Sequence, residues 1–370
     1  MMQNSDITII GGGVMGLMTA REFLNAGASV TLLEKNVCGQ EASWAGGGIL
    51  SPLYPWRQAK SITDLVLPSL KRYPEIAVDL QEQTGIDPEW TQSGLLITQN
   101  PDDISARKWC VNSQIKIETP DSDIFEQLNA DTLNPIFLPE IAQIRNPRFL
   151  QALKRDVLNK RGQLIENCEI TSFTLEHNRL HDVHSNHGRF AVNEIVLTTG
   201  AWTRSIFQQL LIGLLDAPEI YPAKGQMLLF DAPLGTLQHI ILDCDRYLIP
   251  RRDGKIIVGS TVEHDVFHKT LTIDAHDQLT KFATKLLPAL KTAPMIKHWA
   301  GLRPATENGV PYIGRHPEIH NLSLNAGHFR NGLTMSPASA QLLVDLILNR
   351  LPVVNPEPYQ FFKHLPKKSL

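Results

Sequence analysis

Hydrophobic positions near the start of the chain change period twice. "DITII" is an unbroken apolar run of strand length, "LMTAREFLNAG" sets Leu17, Ala20, Phe23 and Leu24 at helical spacing ahead of Gly27, and "SVTLLEK" is a second short apolar run. The pattern predicts strand, helix and strand, a βαβ unit. Similar signals recur further on: a helix in "RFLQALKRDVLNKRG" over residues 148–162, the apolar segment "QLIENCEITSF", a buried strand in "FAVNEIVLTTGAW" that ends in a glycine turn at Gly200, and the strand "NLSLNAG". These pieces are expected to join the first unit as further strands of one sheet, each reached after an excursion.

The excursions have a different texture. Residues 221–299 hold "GQMLLF", "HIILD" and "RYLIPRRDGKIIVGST", with Asp253-Gly254 between alternating apolar runs as a strong hairpin signal, and then the helix "DQLTKFATKLLPAL". The Pro-, Asp- and Asn-rich stretch from about residue 85 to 145 is expected to add an edge strand, "GLLITQ", and loops to this antiparallel part. The fold class predicted is therefore α/β in two discontinuous domains. One is Rossmann-like (residues 1–84, 146–220 and 300–360); the other is an antiparallel-sheet, substrate-binding domain (85–145 and 221–299). A length of 370 residues agrees, since it exceeds what one hydrophobic core organises. The closing "FFKHLPKKSL" reads as a frayed basic tail.

Composition narrows the partners. A net charge of −3, from 35 basic and 38 acidic residues, gives no nucleic-acid footprint, so a small-molecule substrate is expected. "MMQNSDITII" lacks the basic region and apolar stretch of a signal peptide, no apolar run approaches the length of a spanning helix, and the 4 cysteines form no CxxC pair. A reducing cytoplasm fits. His181, His184 and His187 fall around the turn "NHG" with no acidic or cysteine ligand at a fixed offset, so no metal is expected.

The candidate chemistry begins at Gly11, Gly13 and Gly16, which match GxGxxG between a strand and a helix. The first glycine permits the tight turn, the second lets a pyrophosphate approach, the third lets helix and strand pack, and the helix amino terminus offers N–H donors. Glu34 closes the second strand where an acid accepts from ribose hydroxyls, which argues against NADP and leaves NAD and FAD open. "GQEASWAGGGILSPLYPWRQ" follows, with Gly47 and Gly48 in a run that can lie flat against an extended ligand and Ser43 able to donate to a phosphate. Near the other end, "NAGHFRNG" runs into a helix expected from about Ser336, a second glycine turn that suits the ring half of a long two-part cofactor.

Together "GGGVMG" with Glu34, "SWAGGGIL", "LTTGAW", "YLIPR", "WAGLRPATENGVPYIGRHP" and "NAGHFRNG" resemble the D-amino-acid oxidase family of FAD-dependent oxidoreductases, in order along nearly the whole chain. The resemblance implies noncovalent FAD held by Val14, Met15, Glu34, Lys35, Ala42, Ser43, Gly47, Gly48, Ile49, the main chain near Ile170, and residues His328, Phe329, Arg330, Asn331, Gly332, Leu333 and Thr334. It also implies a glycine carboxylate held by Arg303, with Tyr247 and Arg330 close by. No cysteine stands in "RPATENGVPYIG", where relatives tether flavin.

Read from the residues alone, Arg303 in "AGLRP" can pair bidentately with a carboxylate or sit at the surface, and Tyr247 can line the ring site with Ile249 or belong to the core. No general acid or base stands out. That suits hydride transfer from a neutral amine to flavin N5, which needs only positioning and desolvation. With the resemblance added, the expectation is oxidation of glycine, with sarcosine and small D-amino acids as further candidates, to imine or glyoxylate, ammonia and hydrogen peroxide, with the imine available to thiazole synthesis for thiamine. A quinone-linked D-amino-acid dehydrogenase, a non-catalytic flavin sensor and a nicotinamide enzyme are the alternatives. A homo-oligomer is compatible with all of them.

Overall fold

The computed structural model describes residues 5–210 and 217–361, so most of the basic tail lies outside the described residues. Its first sheet is six-stranded, in the order Tyr312–Arg315, Leu322–Ala326, Glu194–Leu197, Ile7–Ile10, Val30–Leu33, Gln163–Ile165. All pairs are parallel except the first, and Ile7 stands in register with both Val30 and Glu194. The first strand is thus central, and it is buried throughout because both faces are covered. Ile7 and Ile9 face a layer of helices that includes Val14–Asn25, Lys60–Thr84, Asn146–Asn159 and Gly332–Ile347. Ile10 faces the opposite way, onto Leu180, Val183 and Phe190 of a three-stranded antiparallel sheet (Ile170–Glu176, Arg179–Ser185, Gly188–Ala191).

The second sheet has eight strands and holds the antiparallel segments predicted above. Tyr221–Phe230 pairs along its length with Met295–Ala305 and also with Ile256–Gly259, which continues to Arg246–Pro250 and Ile240–Asp243. The strand Met295–Ala305 runs unbroken through residue 300, so a division there would cut a strand. The segment "GLLITQ" is not at the edge: Leu95–Ile97 lies between Ile240–Asp243, which it meets in parallel, and Ile136–Leu138, which covers its other side. Local composition cannot reveal that cover, because it arrives from a separate segment some forty residues later.

The carboxyl-terminal helix starts at Gly332, a turn earlier than the sequence suggested, and contains Pro337. Proline has no N–H to give the Leu333 carbonyl and would ordinarily break the helix. The buried Tyr73 hydroxyl from helix Lys60–Thr84 donates to that carbonyl instead, and Ser69 Oγ accepts from the Ala338 amide at 3.0 Å. Two side chains of a neighbouring helix therefore satisfy the groups that Pro337 disturbs. No helix among the described residues is long and apolar enough to cross a membrane.

Candidate active site

A cavity of about 490 Å³ opens where the carboxyl ends of the parallel strands meet the antiparallel sheet. At one end stands Glu34. Its Oε2 accepts from the Gly12 amide at 2.6 Å and its Oε1 from the Asn36 amide at 2.9 Å, so the carboxylate is fixed beside the first turn with lone pairs to spare. Lys35, next to it, pairs with Glu169 at 2.7 Å in solvent.

The glycines of the turn differ in purpose. Gly11 has φ +110° and a Cβ there would stand 2.6 Å from the Thr198 carbonyl oxygen, while a Cβ at Gly16 would fall on the Gly11 carbonyl. Gly16 therefore serves close packing and does not line the cavity. Gly13 caps the helix Val14–Asn25 and borders the cavity, with Ser43 Oγ its nearest neighbour for an added Cβ, at 3.2 Å. Ser43 Oγ accepts from the Val14 amide at 2.9 Å, which leaves its proton for a ligand. Val14, Met15, Ala42, Gly47, Gly48, Ile49, Ile170 and Gly200 complete this wall.

The far end is formed by residues 327–333. His328, Phe329, Arg330, Asn331, Gly332 and Leu333 all line the cavity, through a short 3-10 turn (Phe329–Asn331) that runs directly into the helix. Thr334 does not line it: its hydroxyl donates to the Ile49 carbonyl at 3.1 Å and ties this end to the glycine run. His328 is buried, and Ser339 Oγ donates to Asn325 Oδ1 at 2.7 Å and lies 2.7 Å from His328 Nε2. Ser339 has one proton, so Nε2 must carry the hydrogen of that second bond. Burial pushes the His328 pKa down to about 3, and the ring is neutral at ordinary pH. The charge at this end belongs to Arg330, whose Nε is buried without a partner among the described residues.

Tyr247 and Arg303 converge beside Arg330. Arg303 Nη2 donates to Ser260 Oγ at 2.9 Å and Nη1 to the Thr261 carbonyl at 3.3 Å, and the rest of the guanidinium faces Tyr247 and the cavity. Burial lowers its pKa; Tyr247 opposes that shift and the Arg330 charge adds to it. Both side chains lie over glycines. A Cβ at Gly225 would fall on the Arg303 guanidinium, and one at Gly259, the cross-strand partner of Tyr247, would stand 2.6 Å from its ring. Gly225, Gly259 and Ser260 were not singled out from the sequence, although a glycine inside a strand pattern signals a close approach. Ser260 carried no such signal.

The residues fit an FAD. A single cavity joins the acid at Glu34 to Arg330, a helix amino terminus with a glycine cradle lies along it, and the Arg330 Nε stands unpartnered among the described residues at the far end. The chain belongs to the DAO family of FAD-dependent oxidoreductases, whose sequence pattern matches residues 6–346. It is 40% identical to the glycine oxidase of Pseudomonas putida, over 96% of this chain and 98% of that one. It is 31% identical to the bifunctional protein ThiO/ThiG of a Synechocystis species, over 95% of this chain and 52% of that longer protein. The crystal structure of glycine oxidase from Geobacillus kaustophilus superposes with a TM-score of 0.92 at 25% identity, covering 98% of this chain and all of the other.

Proposed function

We propose that the chain oxidises glycine, and sarcosine or small D-amino acids less selectively, with FAD bound noncovalently along the cavity. The observation that carries this reading is the Arg303 guanidinium, desolvated and lining the cavity beside Tyr247 and Arg330 with no carboxylate paired to it among the described residues. A carboxylate is the natural partner for such a group, because planar bidentate pairing also orients the attached α-carbon. When bound, FAD supplies the two-electron acceptor. The chain's own residues bind, orient and desolvate. Two guanidiniums in one site exceed the single carboxylate charge, and the surplus favours the neutral amine over the ammonium, which removes the need for a dedicated base. The named relatives support glycine as the substrate, and the ThiO/ThiG relative supports passage of the imine to a thiazole-forming partner.

The test is a panel of glycine, sarcosine, D-alanine and a bulky D-amino acid, scored by flavin bleaching without oxygen. Glycine is expected to bleach fastest. Failure of glycine and sarcosine alike would overturn the reading, and bleaching by glycine without peroxide on admission of air would turn it toward a dehydrogenase.

A further inference from the structure

Strand Arg246–Pro250 and the residue after it present Tyr247, Ile249 and Arg251 on one face, and all three meet Gly47. A Cβ built on Gly47 would stand 2.6 Å from Ile249 Cδ1 and 3.3 Å from the Tyr247 ring. The Gly47 carbonyl accepts from Arg251 Nη2 at 2.8 Å, and Arg251 Nη1 donates to Gln143 Oε1 at 2.7 Å and to the Ile144 carbonyl at 3.1 Å. Arg251 is 8% exposed, and none of these acceptors carries a charge. The nearby carboxylates of Glu89 and Asp253 are both paired with Arg145. A guanidinium buried against neutral acceptors costs stability that an apolar residue would not. Desolvation accordingly pushes its pKa down, to about 10.

That cost needs a return, and the backbone around Gly47 shows one. The Gly48 carbonyl accepts from the Ile144 amide at 2.9 Å, and the Leu50 amide donates to the Ala142 carbonyl at 2.9 Å. The glycine run is thus stitched along its outer edge to residues 142–144. Ile49 projects its main-chain groups to the other edge, where its carbonyl meets Thr334 of the ring-end helix. Arg251 is the stitch that joins this seam to the hairpin carrying Tyr247, because its guanidinium binds Gly47, Gln143 and Ile144 together.

We propose that Arg251 is a positioning residue for the redox site: it sets residues 47–49 in register with Tyr247, and so aligns the ring-binding backbone with the Arg303 clamp, without touching either cofactor or substrate. This deepens the proposed function, since it rests on ring and carboxylate meeting at this end of the cavity.

The test compares Arg251→Met, which keeps bulk but no donors, with the parent holoenzyme. The readouts are flavin content, the visible flavin spectrum without substrate, the affinity for acetate as a carboxylate probe, and the rate of anaerobic bleaching by glycine. The variant is expected to keep its flavin and to bind acetate within about threefold of the parent, while its resting flavin spectrum changes and bleaching slows by about tenfold or more. Millimolar guanidinium is expected to restore part of the rate in Arg251→Ala. A parent-like spectrum and bleaching rate in Arg251→Met would overturn the proposal, even with a lowered melting temperature. If the Met variant does not fold, Arg251→Lys carries the same two outcomes. A parent that glycine fails to bleach would count against the glycine reading, and the substrate-free spectrum would still judge Arg251.

Discussion

Two strand-to-helix glycine turns bound the cavity, and they are built on different principles. The first, at Gly11, Gly12 and Gly13, is made chiefly of backbone: a left-handed glycine, a helix end whose Val14 amide meets Ser43 Oγ, and one acid held by main-chain amides. The second, at residues 327–333, is made of side chains as well, with neutral His328 locked through Ser339 to Asn325 and Arg330 left short of a partner. A turn of backbone alone recognises what all dinucleotides share. A turn that carries a guanidinium and adjoins Arg303 can select a redox ring and its substrate. Under the proposed function, the difference places generality at the amino end of the cavity and specificity at the carboxyl end.

Substitutions in the two turns and their supports should therefore fail in different ways. Gly16→Val drives a branched side chain onto the Gly11 carbonyl and is expected to cost about 3 kcal/mol or more, with loss of flavin and of folded protein by thermal denaturation. Arg303→Ala is expected to leave flavin content intact and to cost about 2–5 kcal/mol in glycine binding, read as a steep rise in KM. Unchanged glycine kinetics would remove Arg303 from the site. Gly225→Ala touches no ligand yet displaces the Arg303 guanidinium, and a loss of about a hundredfold in kcat/KM with normal flavin content would show that guanidinium placement, beyond its charge, sets the rate.

A further effect separates the turns by pH. His328 is held neutral in the fold, so unfolding releases a group that takes up a proton below its ordinary pKa of about 6.5. Its contribution to stability is whole above that value and falls away as the pH drops toward about 3, at up to roughly 1.4 kcal/mol per pH unit. His316 adds to the same slope: its Nδ1 accepts from the Glu318 and Ile319 amides, and burial lowers its pKa to about 4. Urea midpoints of His328→Gln measured from pH 7 down to pH 4 should show a shallower decline than the parent. An equal decline would mean that the second turn has no such proton linkage.

Much of this was legible because it is local. The period change from strand to helix around Gly11 lies within one stretch of chain, and so does the Asp253-Gly254 hairpin signal. Residues around 330 could be joined to Glu34 only by asking what a long cofactor requires. What stayed hidden depends on partners distant in sequence. Gly225, between Lys224 and Gln226, carries no mark until Arg303 lies over it, the helix start at Gly332 depends on Tyr73 offsetting Pro337, and Arg251 looks like a surface hairpin arginine until Gly47 is brought to it. The hydroxyl of Thr334, a residue the family resemblance places among the cofactor contacts, donates to the Ile49 carbonyl, a partner equally distant in sequence.

The order of strands in the first sheet bears on how the protein is made. Ile7–Ile10 lies between Val30–Leu33, the next strand in the chain, and Glu194–Leu197, whose own far neighbour, Leu322–Ala326, is synthesised long after it. Glu194–Leu197 must therefore wait with one side unpaired until Leu322–Ala326 has been made. A chain that stops short of residue 322 would present the bare flank of Glu194–Leu197 to any chaperone or protease that meets it, an unpaired edge that chains carrying Leu322–Ala326 cover.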